Sequence, residues 1–226
     1  MSTSGGLIYH LRAFRFQKSL WSRYCEETEK FLNAWNPKAK TLVIVGPSAG
    51  YSLSLNFLQR FERLILVEPD ILARIFFEVR FGLKPEWFRR ALDFEQPVDA
   101  SAFPETCAFL FSNVLGQVRI RNSARYAQNL KALVQGHEWA SYHDALSGER
   151  LEFDTETATH RKGTLAEMKA WIYLKDSRLT SLEINAHVAP DLFSDKDQLQ
   201  YHYWQWRLTP RRTHLIEGVF PRVERK

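Results

Sequence analysis

Val43-Ile-Val-Gly-Pro-Ser-Ala-Gly-Tyr-Ser52 is the stretch that decides how the rest of the chain folds. Its first residues close the apolar, β-branched run Thr41 to Val45, the composition of a strand covered on both faces. Gly46 and Gly50 follow directly, and residues free to take positive φ let the backbone turn sharply at the strand's carboxyl end. The spacing then predicts a helix over Tyr51 to Arg60 and a second buried strand, Leu64 to Val67, ending at Glu68. Strand, glycine turn, helix and strand within about thirty residues make a βαβ unit. A helix starting at such a turn aims amide hydrogens at a ligand. A carboxylate ending the next strand accepts hydrogen bonds from ribose hydroxyls. Gly46, Ser48, Gly50 and Glu68 are therefore candidate nucleotide-binding residues.

Upstream, apolar residues at Leu11, Phe14, Leu20, Trp21, Tyr24, Phe31 and Leu32 predict one or two amphipathic helices, and Asn36-Pro37 punctuates the chain. This sets an N-terminal helical extension, residues 1–37, before an α/β domain, residues 38–226. Downstream, Ile71 to Phe81 is a helix closed by Gly82, Ala91 to Phe94 a short third strand, Cys107 to Phe111 a fourth, and Arg119 to Val134 a helix. Trp139 to His143 begins a fifth strand. From 150 to about 200 the pattern changes: Arg150 to Lys162 is polar, Thr164 to Leu174 has helical spacing, and Leu182 to Val188 reads as extended. This stretch is expected to be an insertion that lids the site. Tyr201 to Leu208, a turn at Thr209 to Arg212, and His214 to Phe220 predict a terminal hairpin. The alternation implies a Rossmann-like three-layer α/β sandwich, its sheet seven-stranded, mostly parallel and ending in an antiparallel hairpin.

With 226 residues, 45% of them hydrophobic, seven Trp and sixteen Phe, the chain can bury one sizeable core, which excludes intrinsic disorder. The net charge of +5 comes from interspersed residues of both signs and selects no partner by itself. No apolar run is long enough to span a bilayer, so the expectation is a cytoplasmic protein without a membrane partner. Cys25 and Cys107 form no metal-type pair and read as reduced thiols, and the scattered histidines show no metal-ligand spacing; no metal is expected.

On these motifs the chain resembles the class I S-adenosylmethionine-dependent methyltransferases, whose hydrophobic first strand meets a glycine-rich loop and whose next strand ends in an acid. Leu92-Asp93-Phe94 looks like the position whose Asp holds the adenine amino group. Phe111-Ser-Asn-Val-Leu-Gly-Gln117 looks like the segment after the fourth strand that borders the methionine moiety and the acceptor, which makes Asn113 a cofactor and transfer-site candidate. The resemblance covers Lys38 to Phe220 and implies S-adenosylmethionine as cofactor with a small-molecule or macromolecular methyl acceptor. Two departures stand out. The loop lacks the further glycine that family loops commonly carry between the two seen here, and Asn113 replaces the acid followed by Pro-Pro and an aromatic used in amino-methylation of nucleobases.

Three other readings fit parts of the sequence. Gly46-Pro-Ser-Ala-Gly50 also matches the Gly-x-Ser-x-Gly elbow of α/β-hydrolases, with Ser48 as nucleophile, Asp144 or Asp191 as acid and His187 or His214 as base. Too few residues precede Ser48 for the strands and oxyanion loop such enzymes place first. A Rossmann-like domain can also serve as a non-catalytic ligand-binding or RNA-binding module. Tyr201, Tyr203, Trp204 and Trp206 beside Arg207, Arg211 and Arg212 would stack and neutralise RNA, but alternating aromatics in a strand are more often core. The basic helix bearing Arg119, Arg121, Arg125 and Lys131 reads as a solvated face. Finally, His143 follows the start of the fifth strand, where active-site loops gather, and is the candidate general base.

Overall fold

The computed structural model describes residues 6–115, 122–149, 151–152, 155–158, 173–174, 182–184 and 198–222. Thr41–Val45 forms β1, Arg63–Val67 β2, Glu86–Phe88 β3, Ala108–Ser112 β4 and Glu138–Glu149 β5. Leu151–Glu152 is β6, Glu156–Ala158 β7, Tyr173–Leu174 β8 and Leu182–Ile184 β9, and the long hairpin strands are Leu199–Arg207, β10, and Arg212–Pro221, β11. The main sheet runs β3-β2-β1-β4-β5-β11-β10-β7, with β9 pairing on β5. β1 to β5 pair in parallel, and β11 runs antiparallel between β5 and β10. Six of the seven expected strands are present, and β3, β7 and β9 make the sheet nine-stranded.

Helices Gly6–Phe16, α1, Ser22–Trp35, α2, Leu55–Leu58, α3, Ile71–Phe81, α4, and Ser123–Val134, α5, complete the layers. The chain steps outward from β1 to β2 to β3, then jumps back across β1 to β4 and β5. Right-handed crossovers therefore put α3 and α4 on one face and α5 on the other. Two clusters of buried side chains record this division. Tyr126, Leu130 and Leu133 of α5 pack on Val43, Val67, Phe109 and Phe111. Phe31, Leu32 and Trp35 of α2 and Phe77 of α4 pack on Leu42, Ile44, Leu66 and Leu110. Because the sheet is sandwiched, β1 and β4 are apolar without interruption, as expected of strands buried on both sides.

Caps set the helix ends. Asn36 closes α2 at φ 42°, directly before Pro37. Asp70 opens α4 by accepting a bond from the Leu72 N–H, and Gly82 ends it at φ 65°.

Three expectations are corrected. The helix over Tyr51 to Arg60 shrinks to the single turn of α3, capped by Ser54. Tyr51, Ser52 and Leu53 are drawn into the core instead, through turns that bond Gly50 N–H to Pro47 O and Leu53 N–H to Gly50 O. The third strand is Glu86–Phe88, while Ala91 to Phe94 is a loop; the Arg63 guanidinium gripping the Glu86 carboxylate favours that earlier register. Tyr173 and Leu174 pair as a strand with β6, not as the end of a helix. The remaining helical stretch, most of the expected lid, and Gln117, Arg119, Arg121, His187 and Asp191 lie outside the described residues.

Candidate functional site

Where β1 turns outward to β2 and β4 turns the other way, the diverging loops leave a crevice at the carboxyl ends of the strands, the usual ligand position in such sheets. A cleft of about 310 Å³ lies there. One side is formed by Gly46, Pro47, Ser48, Glu68 and the loop Ala91–Glu95; the other by Ser112, Asn113, Asp144, Trp206 and His214, with Tyr9, Arg12 and Tyr24 from the N-terminal helices. Gly46, Ser48, Glu68, Asp93 and Asn113 are thus brought together. Gly50 is not among the lining residues and acts structurally. A Cβ there would come within 2.6 Å of the Phe81 ring, and its φ is 68°.

The loop after β1 is held from within. Glu68 is buried, and its two oxygens accept the Ser48 N–H at 2.9 Å and the Asp70 N–H at 3.0 Å. Burial raises the Glu68 carboxyl above its ordinary range, with the two backbone hydrogen bonds opposing the rise. An ionised carboxylate has about four acceptor positions, so two remain for hydroxyls in the cleft. Ser48 sits at φ 51°, in the left-handed region uncommon for residues other than glycine, and its Oγ is buried without a hydrogen-bond partner among the described residues. Gly46 has no room for a side chain: a Cβ would stand 2.0 Å from Val114 Cγ1. Asp93 spends Oδ1 on the Glu95 N–H, which turns the loop so that residues 91–95 line the cleft.

Across the cleft, Asn113 is also left-handed, at φ 55°. Its N–H donates to Tyr142 O and its Oδ1 accepts the Asp144 N–H at 3.1 Å, so it stitches the end of β4 to β5. Beneath it the Tyr142 hydroxyl lies 2.5 Å from Ser112 Oγ and 2.7 Å from Ser52 Oγ, all buried. Asp144 Oδ2 meets His214 Nδ1 at 3.0 Å. Burial works to raise the Asp144 carboxyl, but the His214 hydrogen bond and the neighbouring imidazoles hold it below its ordinary value.

His143 is corrected as a cleft residue. In register it faces Glu217, on the sheet side where the Tyr203 hydroxyl bonds Glu217, and it is 1% exposed. Its neighbour Asp144, whose Oδ1 lies 3.4 Å from His143 Nδ1, lines the cleft instead. The cleft's imidazole is His214, which sequence spacing offered only as a hydrolase base. It meets Asp144 through the β5–β11 register, across seventy residues, and no local pattern announces that pairing.

Ser48, Asp144 and His214 all line the cleft, yet Ser48 Oγ and His214 Nε2 each have no hydrogen-bond partner among the described residues and so do not bond each other. Three strand spacings, about 14 Å, separate β1 from β11. The nucleophile-to-base contact that a serine hydrolase needs is missing. Tyr201, Tyr203, Trp204 and Trp206 are at most 4% exposed; the first three are core and Trp206 is part of the cleft wall, so they offer no open platform to nucleic acid bases. Both cysteines are free thiols. No described helix is long and apolar enough to cross a membrane.

The chain matches no family model and no curated protein. Among solved structures it is similar to an amino pentose methyltransferase of calicheamicin biosynthesis from Micromonospora echinaspora with S-adenosylmethionine bound. The identity is 14% over 94% of this chain and 96% of that one, with a TM-score of 0.47. It is also similar to the N-methyltransferase NodS from Bradyrhizobium japonicum with S-adenosyl-L-homocysteine, at 10% identity over 89% and 87% of the two chains and a TM-score of 0.47. A third is an S-adenosylmethionine-dependent methyltransferase from Clostridium acetobutylicum, at 11% identity over 90% and 92% of the chains and a TM-score of 0.44.

Proposed function

We propose that this chain binds S-adenosylmethionine against the loops after β1, β2 and β3 and transfers its methyl group to an acceptor seated against β4, β5 and β11. The observation that carries this is the convergence of Gly46, Ser48, Glu68, Asp93 and Asn113, from four separate loops, on one cleft at the point where the sheet changes direction. Glu68 has acceptor positions left for the two ribose hydroxyls, Asp93 for an adenine amino group, and the buried Ser48 hydroxyl for a polar group of the methionine moiety.

The charges agree. Among the described residues, Glu68, Asp93, Glu95 and Asp144 line the cleft against a single cation, Arg12, a field that favours a positively charged ligand. S-adenosylmethionine, when bound, supplies an electrophilic methyl group on a sulfonium. The chain's own task is then to hold donor and acceptor in line and exclude water, which requires no covalent nucleophile.

Calorimetry with S-adenosylmethionine and S-adenosylhomocysteine tests this. The wild type should bind both, and Glu68→Ala should weaken both at least about tenfold, the loss of hydrogen bonds to a charged acceptor. A wild-type protein that binds neither would sink the proposal.

A further inference from the structure

We infer that His214, oriented by Asp144, is the proton acceptor of the transfer step and that the methyl acceptor is a small aromatic hydroxyl compound; this rests on the cofactor assignment above. Asp144 Oδ2 engages His214 Nδ1 at 3.0 Å, which selects the tautomer carrying its proton there and leaves Nε2 as a lone pair. That Nε2 is buried and has no partner among the described residues. Opposite His214 in the hairpin register stands Trp206, with ring centroids 5.3 Å apart. Its Nε1, a donor only, is likewise buried and without a partner. Both residues line the cleft and are at least nine-tenths buried.

One acceptor and one donor left unmade at a single site cost about 1–3 kcal/mol each, and a ligand that supplies both partners recovers that. A hydroxyl does so. Its proton goes to Nε2, one lone pair accepts from Trp206, and a second lone pair remains to attack. A neutral amine has one lone pair and cannot both accept and attack, and a cationic amine has none to attack with. The wall beside His214 is aromatic: Tyr24 stacks on Trp206 at 4.7 Å, and Tyr9 lies 6.3 Å from Trp206, edge-on. Flat rings pack favourably on such a surface.

In the step, the acceptor oxygen forms a bond to the methyl carbon as the carbon–sulfur bond breaks, sulfur keeps the electron pair, and the hydroxyl proton passes to His214 Nε2. The imidazolium so formed is stabilised by Asp144, which stays ionised. The charged groups around His214 are Asp144 on β5, with His143 beside it, Glu183 on β9 and Arg212 two positions upstream on β11.

The visible absorption of 4-nitrophenol, which changes on ionisation, tests this without turnover. With S-adenosylhomocysteine saturating, wild-type protein should lower the probe's ionisation midpoint by at least about one pH unit, a tenfold gain in phenolate at fixed pH. His214→Gln should return the midpoint to that of the free probe while S-adenosylhomocysteine still binds within about twofold, and Asp144→Asn, acting through His214, should give a smaller shift than wild type. Bound S-adenosylhomocysteine with an unshifted probe overturns the base and acceptor assignment alone. An equal shift in His214→Gln does the same. Failure of the wild type to bind S-adenosylhomocysteine overturns the cofactor assignment with it.

Discussion

A buried and a half-buried carboxylate face each other across the cleft, and their surroundings push them in opposite directions. Glu68, at the end of β2, is compensated by two backbone amides and, more weakly, by the Arg74 charge, and burial keeps its carboxyl above the ordinary value. Asp144, on β5, is less deeply placed and has an imidazole against it, and its carboxyl falls below the ordinary value. The difference separates two kinds of polar site. On the β1–β2 side, side-chain acceptors are spent on shaping a loop of the chain itself. On the β5–β11 side, a carboxylate orients a second side chain whose far end is left open. The first half is built for shape, and the second holds the proposed base.

The harshest way to break the comparison is to disturb the loop. Gly46→Ala puts a Cβ 2.0 Å from Val114 and an L side chain at φ 71°. Overpacking and left-handed strain together should cost about 3 kcal/mol, read as a lowered denaturation midpoint. S-adenosylhomocysteine binding should fall with it, because the loop and Val114 cannot keep their contact. If Gly46→Ala is as stable as wild type, the loop is not shape-determined.

The next largest effect tests the floor shared by both halves. Tyr142→Phe removes the hydroxyl between Ser52 and Ser112 and leaves two buried serine hydroxyls short of a partner. A loss of about 1–2 kcal/mol is expected in urea unfolding. A neutral substitution would mean that the serines re-pair locally and that the floor is not one network.

How much of this was legible in the sequence follows the same division. Gly46, Ser48 and Glu68 announce themselves because a strand, a turn and the next strand are local, and their composition carries the geometry. The length of α3 was not legible. Tyr51 to Leu53 have acceptable helical spacing, and only their burial against the N-terminal helices, seen in the 3.1 Å bond from Gln17 to Tyr51 O, shows why they leave the helix. The third strand was misplaced because Glu86-Trp-Phe88 is short and polar at its start, and its pairing is decided by Arg63 on β2. His143 and Asp144 differ by one residue and their side chains approach to 3.4 Å, yet only Asp144 lines the cleft, so an error of one position in register exchanges core for cleft. The bulge in β5 opposite Leu215 and Ile216 sets that register, and nothing local marks it.

The gentlest and most discriminating measurement is the pH dependence of two conservative substitutions. Glu68 has a folded value raised above its ordinary 4.5, so ionising it disfavours the folded state, a cost that grows as pH rises from about 4.5 through the folded value. Glu68→Gln removes that cost and, whatever its fixed penalty from altered hydrogen bonding, should gain on wild type as pH rises through this window. Asp144 has a folded value lowered below its ordinary 3.8, so its contribution is present above that pH and is lost as pH falls through the folded value. Asp144→Asn should therefore lose ground against wild type as pH rises through the acid range, the opposite slope. Each slope should stay below about 1.4 kcal/mol per pH unit, the limit for one proton. Equilibrium urea unfolding of the three proteins at several pH values reads both. Slopes of the same sign would mean that the imidazole of His214 does not compensate Asp144, and the contrast between the two halves of the cleft would fail at the residue on which it depends.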